Sequence, residues 1–346
     1  MKKIVTLITV LLLASSVTFA KTPQTLDVLP LMSSQSNHAD RLWVGTFQLV
    51  WNDLMDGIVK GPVKFTNGTP QLVKALNKQS FTANDLSESS YYKTYGETSP
   101  ELKTQIETAI KEKFDETSDV LDGLDWSKGE GKYTVYAMLK KDFKFMTAFD
   151  KLKPVRFARS LAKVNFFGID NNSNKILDDM VHVLFYNSSN DFAVAIITDG
   201  PDILYLYRTN DNKTFDKLYA DMQNKESQYV GNREFSSKDE LKVPDINLYR
   251  MKSFDELCNH NIKGTNFEIG QAIETVDFKM NNEGVKLKSE ALIMTKMSAL
   301  LPGEVSKPRK FFFDDTFVMF LQESDKEQPY FALRVHDVSL INKTGR

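Results

Sequence analysis

The four histidines, His38, His182, His260 and His336, are the residues best suited to general-base or metal-ligand chemistry, and their spacing serves neither role. No pair stands in H-x-x-x-H or H-E-x-x-H, so no metal centre is expected. The single cysteine, Cys258, excludes an intrachain disulfide. It ends the helix-like stretch Phe254-Asp255-Glu256-Leu257-Cys258, where the expectation is a buried, inert thiol. There is no glycine-rich phosphate loop and no G-x-S-x-G nucleophile elbow. A Ser-His-Asp triad gathered from distant positions stays open, because geometry and not spacing defines it. No enzyme and no cofactor are expected.

The elements that must carry any site divide in the sequence. Between Asp40 and Val59, Leu42, Trp43, Phe47, Val50, Trp51, Leu54, Met55 and Ile58 fall at helical spacing, with Asn37 or Asp40 as cap, so a helix is predicted there. Thr69-Pro70 before Gln71 to Leu76 predicts a second helix with Thr as cap. Thr98-Ser99-Pro100-Glu101 opens a third, lined by Leu102, Ile106, Ala109, Ile110 and Phe114. From Tyr133 the chain turns to β-branched and aromatic residues. Tyr133 to Leu139, His182 to Tyr186, Phe192 to Thr198 and Ile203 to Arg208 read as strands, the last three as an antiparallel meander around Asn187 to Asp191. Thr214 to Met222 reads as a short helix. Ile246 to Met251, Ile273 to Met280, Phe317 to Gln322 and Phe331 to Val335 read as four more strands. The class is α+β, with helices early and antiparallel strands late.

Composition bounds the partners. Net charge is −2 with both signs interspersed, so nucleic acid is not an expected partner. An apolar content of 41% with 24 Phe and 12 Tyr is ample for a packed core. Met1-Lys2-Lys3, the apolar run Ile4 to Val17 and Thr18-Phe19-Ala20 have the form of a signal peptide over residues 1–20. The remaining residues, 21–346, are expected to form a single domain that is secreted or periplasmic, with no membrane span after cleavage and a monomer favoured.

The C-terminal third has an unusual order of parts. The strand Ile273 to Met280 leads into Asn281-Asn282-Glu283-Gly284, about thirty residues follow without a clean helix, and the chain returns as Phe311 to Leu321 and Tyr330 to Val335. This third resembles the serpins, in which a strand ends in E-E-G-T-E-A-A-A-A-T, an exposed reactive loop follows, and the chain comes back through F-x-x-D-x-P-F-L-F-x-I and I-L-F-x-G-R-V. Here Asn282-Glu283-Gly284-Val285 stands at the hinge, Phe312-Phe313-Asp314-Asp315-Thr316-Phe317-Val318-Met319-Phe320 at the return, and Tyr330-Phe331-Ala332-Leu333-Arg334-Val335 at the last strand. Upstream, Thr69-Pro70 with Ala75-Leu76, Gly96-Glu97-Thr98 with Gln105-Ile106, Ala137-Met138-Leu139 with Phe143 to Met146 and Phe149, and Val243 to Leu248 are similar to further serpin motifs in the same order. The region between Phe149 and Val243 is shorter than the family's.

The resemblance implies a serpin-like α+β fold, N-terminal helices on large, mostly antiparallel sheets, and an exposed C-terminal loop. It implies a partner, an extracellular serine or cysteine protease that cuts the loop, after which the hinge side inserts into a sheet as a new strand. Hinge residues would be Glu283, Gly284, Val285, Leu287, Ser289 and Ala291, and the cut would fall at Lys296, Met297, Ser298 or Ala299. Insertion would turn Val285, Leu287, Ser289 and Ala291 inward and Lys286, Lys288 and Glu290 outward. Equally, Val285 to Ala291 is readable as a strand of the resting protein, and Leu292 to Leu301 as either bait or a buried strand. A non-inhibitory binding protein of the same fold and an unrelated extracytoplasmic hydrolase are the alternatives.

Overall fold

The computed structural model describes residues 26–117, 119–127, 131–142, 144–158, 163–283 and 307–342. Leu26–Leu29 (β1) pairs in parallel with Asp40–Val44 (β2). Every residue of β2 is buried, so the run is a strand covered on both faces and not the first turns of the expected helix. Helix begins only after Gly45, as Thr46–Leu54 (α1), and runs through a π-helical turn, Met55–Val59, to left-handed Lys60. Gln71–Leu76 (α2) lies where expected, but the Thr69 hydroxyl accepts from the Phe65 amide at 3.4 Å and does not cap it.

Tyr91–Glu97 (β3), a strand that the sequence reading missed, precedes Pro100–Phe114 (α3). Here the expected cap is present: Ser99 Oγ accepts from the Leu102 amide at 3.1 Å, and Leu102, Ile106 and Ile110 are buried. Ser99→Ala is expected to cost about 1 kcal/mol, read as a lower denaturation midpoint at constant slope.

The chain continues through Lys132–Asp142 (β4), Asp150–Arg156 (β5), Lys163–Ile169 (β6), Val181–Ser188 (β7), Asp191–Ile197 (β8) and Asp202–Arg208 (β9). The meander β7-β8-β9 is antiparallel as expected. Phe215–Gln228 (α4) is longer than its apolar pattern suggested. Then come Glu240–Pro244 (β10), Ile246–Ser253 (β11), His260–Asn261 (β12), Glu268–Met280 (β13), Lys310–Phe312 (β14), Phe317–Glu323 (β15), Phe331–Val335 (β16) and Val338–Ile341 (α5). The helix-like stretch Phe254 to Cys258 is a single 3-10 turn, Asp255–Leu257.

Three sheets result: a seven-stranded sheet β1-β2-β16-β15-β9-β8-β7, a four-stranded sheet β14-β10-β6-β5, and a five-stranded sheet β11-β13-β4-β3 with β12 attached to β13. The fold is α+β. The main core joins the first two sheets through Phe192, Phe311, Phe313, Phe317 and Phe167, with Phe192 edge-on to Phe311 and Phe313 at 5.4 and 5.1 Å. Each fully buried ring adds about 2 to 3 kcal/mol over leaving it exposed. A second cluster, around Phe47, Trp51 and Phe254, fills the space between α1 and β4/β13, and a third lies on the opposite face of that sheet, under α3. Among the described residues, no helix is long and apolar enough to cross a membrane.

Candidate functional site

β13 is the strand from which the C-terminal segment departs, and its neighbours set the geometry of the site. It is antiparallel to β11 and parallel to β4, matching Glu268 with Lys132 at one end and Lys279 with Asp142 at the other. β4 is in turn antiparallel to β3. The sheet therefore has one parallel seam in an otherwise antiparallel set, and parallel pairing is the weaker kind per residue. A chain that leaves the end of β13 and reverses runs antiparallel to both β13 and β4. It would find hydrogen-bonding partners on both sides if the two strands parted.

The departure point is pinned. Asn282 O accepts from the Phe149 amide at 2.9 Å, its Nδ2 donates to Phe149 O at 3.1 Å, and the Glu283 amide donates to Asn281 Oδ1 at 2.9 Å. Of the sequence-predicted site residues, Glu283 is exposed in this turn. Gly284, Val285, Leu287, Ser289, Ala291, Lys296, Met297, Ser298 and Ala299 lie outside the described residues.

The return point is pinned more firmly. Arg309, with a nearly buried side chain, is held by Asp239, whose side chain is wholly buried. Asp239 Oδ1 accepts from the Arg309 amide at 2.8 Å, and Oδ2 accepts from Nε at 3.2 Å and Nη2 at 2.8 Å. Nη1 donates to Asn232 O at 2.6 Å, Nη2 also donates to Glu234 O, and the guanidinium lies 5.2 Å from the Phe311 ring centre. The register Asp150–Gly168–Lys242–Phe312 crosses the four-stranded sheet. The two ends thus flank that sheet, three strand spacings or roughly 14 Å apart. The 23 residues from 284 to 306 join them.

A buried acid lies beneath the seam. One face of β13 carries Ala272, Glu274, Val276, Phe278 and Met280, and the lone charge in that apolar row is the signal by which the sequence could have shown it. Glu274 has no solvent exposure. Its Oε1 accepts from Thr46 Oγ1 at 2.9 Å and from the Phe47 amide at 3.1 Å, while Oε2 has no hydrogen-bond partner among the described residues. It supplies the cap that α1 lacks locally, since Gly45 makes no side-chain cap bond. Burial pushes the carboxyl up to about 8, against a smaller lowering from the two donors.

The residues weighed for catalysis are placed apart. His38 is exposed, His182 is lowered by burial, and His260 stacks on Phe65 at 4.8 Å. His336 Nδ1 meets Thr316 Oγ1 at 2.9 Å, but Thr316 is buried and the contact joins the start of β15 to the end of β16. Burial pushes the Cys258 thiol up to about 11, which suits an inert packing group. Among the described residues, no three His, Cys, Asp or Glu side chains are gathered at metal-binding distance.

No family model and no curated protein matches the chain. Among solved structures it is similar to Serpin48, a serpin described as highly specific, from the insect Tenebrio molitor. Identity is 12% over 79% of this chain and 73% of that one, with a TM-score of 0.42.

Proposed function

We propose that the chain is an exported, serpin-like inhibitor of serine or cysteine proteases, acting through the segment between β13 and β14 and performing no turnover. The observation that carries this reading is the parallel seam between β4 and β13 in an otherwise antiparallel sheet, at the strand from which that segment departs. A cleaved hinge bearing Glu283, Gly284, Val285, Leu287, Ser289 and Ala291 would enter there once β4 and β13 part, antiparallel to both neighbours. The anchored ends support it further: the Asn282–Phe149 pair on one side and Arg309–Asp239 on the other hold the segment's base while its middle is cut.

Leu287 favours a second reading, a non-inhibitory binding protein of the same fold. A leucine entering a site packed for smaller side chains costs about 1 to 3 kcal/mol, which slows insertion and lets a protease complete hydrolysis.

The mature protein is to be incubated with trypsin, elastase and subtilisin and run on a denaturing gel. A stable band at the summed mass is expected, with cleavage mapped at Lys296, Met297, Ser298 or Ala299. Clean cleavage without an adduct, and no gain in heat stability afterwards, sinks the inhibitor reading in favour of the binding protein. Turnover of small ester or peptide substrates by the protein itself would favour a hydrolase.

A further inference from the structure

Glu274 sits in a row that crosses the sheet in register: Lys252 on β11, Glu274 on β13, Ala137 on β4 and Lys93 on β3. Both lysines turn to other partners, Lys252 to Asp27 at 3.9 Å and Lys93 to Asp53 of α1 at 2.5 Å. Arg250, one step along β11 on the same face, donates to the carbonyls of Tyr249 and Ile341. Ala137 offers no polar atom beyond its backbone, and the α1 groups that reach Glu274 are the Thr46 hydroxyl and the Phe47 amide. Among the described residues, the carboxyl therefore has two neutral donors on one oxygen, nothing on the other and no cation at hand. An ionised carboxylate in such a place is strongly disfavoured, so the group keeps its proton in the closed sheet.

We propose that Glu274 is a proton-dependent latch on the β4–β13 seam: its protonated carboxyl ties β13 to the start of α1, and release of the proton to solvent favours the parting of the two strands. The seam is the one on which the inhibitor reading rests, and the latch is tested without a protease. The direction follows from the linkage. The closed sheet holds the proton more tightly than an open, solvated sheet in which Glu274 titrates in the ordinary glutamate range. The closed form is therefore fully favoured below that range and loses ground as pH rises, until the change levels off near the closed-state value of about 8. Within that window each pH unit shifts the opening equilibrium by up to about tenfold.

The experiment is hydrogen–deuterium exchange of β4 and β13 peptides at pH 5.5, 7.0 and 8.5, corrected for intrinsic exchange, in the wild type and in Glu274→Gln. Opening in the wild type should increase on the order of ten- to a hundredfold from pH 5.5 to 8.5. In E274Q, which keeps the acceptor for Thr46 and Phe47 but cannot ionise, it should change by less than about threefold. Infrared difference spectra of the wild type should show a protonated-carboxyl band at pH 6 that is lost by pH 9, and this reading stands even if E274Q does not fold. A pH-independent wild type, an E274Q profile that matches the wild type, or no protonated-carboxyl band would each overturn the latch. A protein that shows the profile yet traps no protease keeps the latch and loses the inhibitor reading.

Discussion

Asp239→Ala is expected to lower stability by about 3 to 5 kcal/mol, because it leaves the Arg309 guanidinium in a buried site without its counter-charge. The carboxylate accepts from three donors of Arg309 and also from the Ser236 amide at 2.8 Å, so its loss frees four hydrogen-bond donors at once. The damage should be local. β14 has only three residues, matched in parallel to Glu240, Leu241 and Lys242 of β10, and Arg309 adjoins it directly. Without that anchor, the chain around Lys307 to Phe312 should become a site of rapid proteolytic nicking while the seven-stranded sheet stays protected. Asp239→Asn keeps the shape and loses the charge, and should fall between the wild type and the alanine variant. As a contrast, Asp122→Ala breaks an exposed pair with Lys103 and should leave the urea midpoint where it was. If Asp239→Ala unfolds within about 0.5 kcal/mol of the wild type, the clamp is not what holds the return point.

What the sequence made legible follows from which residues had one face in water. β7, β8 and β9 were readable because β-branched and aromatic runs alternate with turn clusters such as Asn187 to Asp191. α3 was readable because its apolar residues repeat along one side and Ser99-Pro100 marks its start. β2 was not, since burial of Asp40 to Val44 on both faces erases the twofold period. Leu42 and Trp43 also fall at helical spacing from Phe47, Val50 and Trp51, which makes strand and helix look continuous. β5 was hidden for the opposite reason. Its residues are exposed or half-buried and it contains Pro154 at a register shift, as suits an edge strand that discourages further pairing.

The site divides in the same way. The departure and return of the C-terminal segment were legible from Asn282-Glu283 and from the aromatic run after Lys310. The clamps that fix them were not, because their partners are far apart in the chain: Asp239 and Arg309 are 70 residues apart, and Phe149 and Asn282 are 133 apart. On that face of β13, the acid interrupting Ala272, Val276, Phe278 and Met280 gave the local sign of a polar contact, although its partner Thr46 is 228 residues away. A parallel seam leaves still less trace. Parallel and antiparallel neighbours impose the same twofold side-chain period, so the direction of β4 relative to β13 is a property of topology alone.

Gly168→Ala is expected to be the most damaging small substitution in the four-stranded sheet. Gly168 has φ of +153°, a conformation that an L side chain rarely adopts, and a Cβ built there would stand 1.9 Å from the Leu241 carbonyl oxygen. Neither atom has freedom to move, since Gly168 is paired between Asp150 of β5 and Lys242 of β10, and the same row continues to Phe312 of β14. Relief requires β6 and β10 to separate, which would uncouple β10 and β14 from the rest of the sheet and withdraw support from the return point. A loss of more than about 3 kcal/mol is expected, with exchange protection falling first in β6, β10 and β14. Gly123 provides the control, as a Cβ there meets nothing within 4 Å, and Gly123→Ala should be neutral or slightly stabilising. Equal stability of the two variants would mean that β6 and β10 do not approach as closely as the glycine allows. A large loss confined to G168A would establish that the close approach at Gly168 holds the sheet on which the C-terminal segment is mounted.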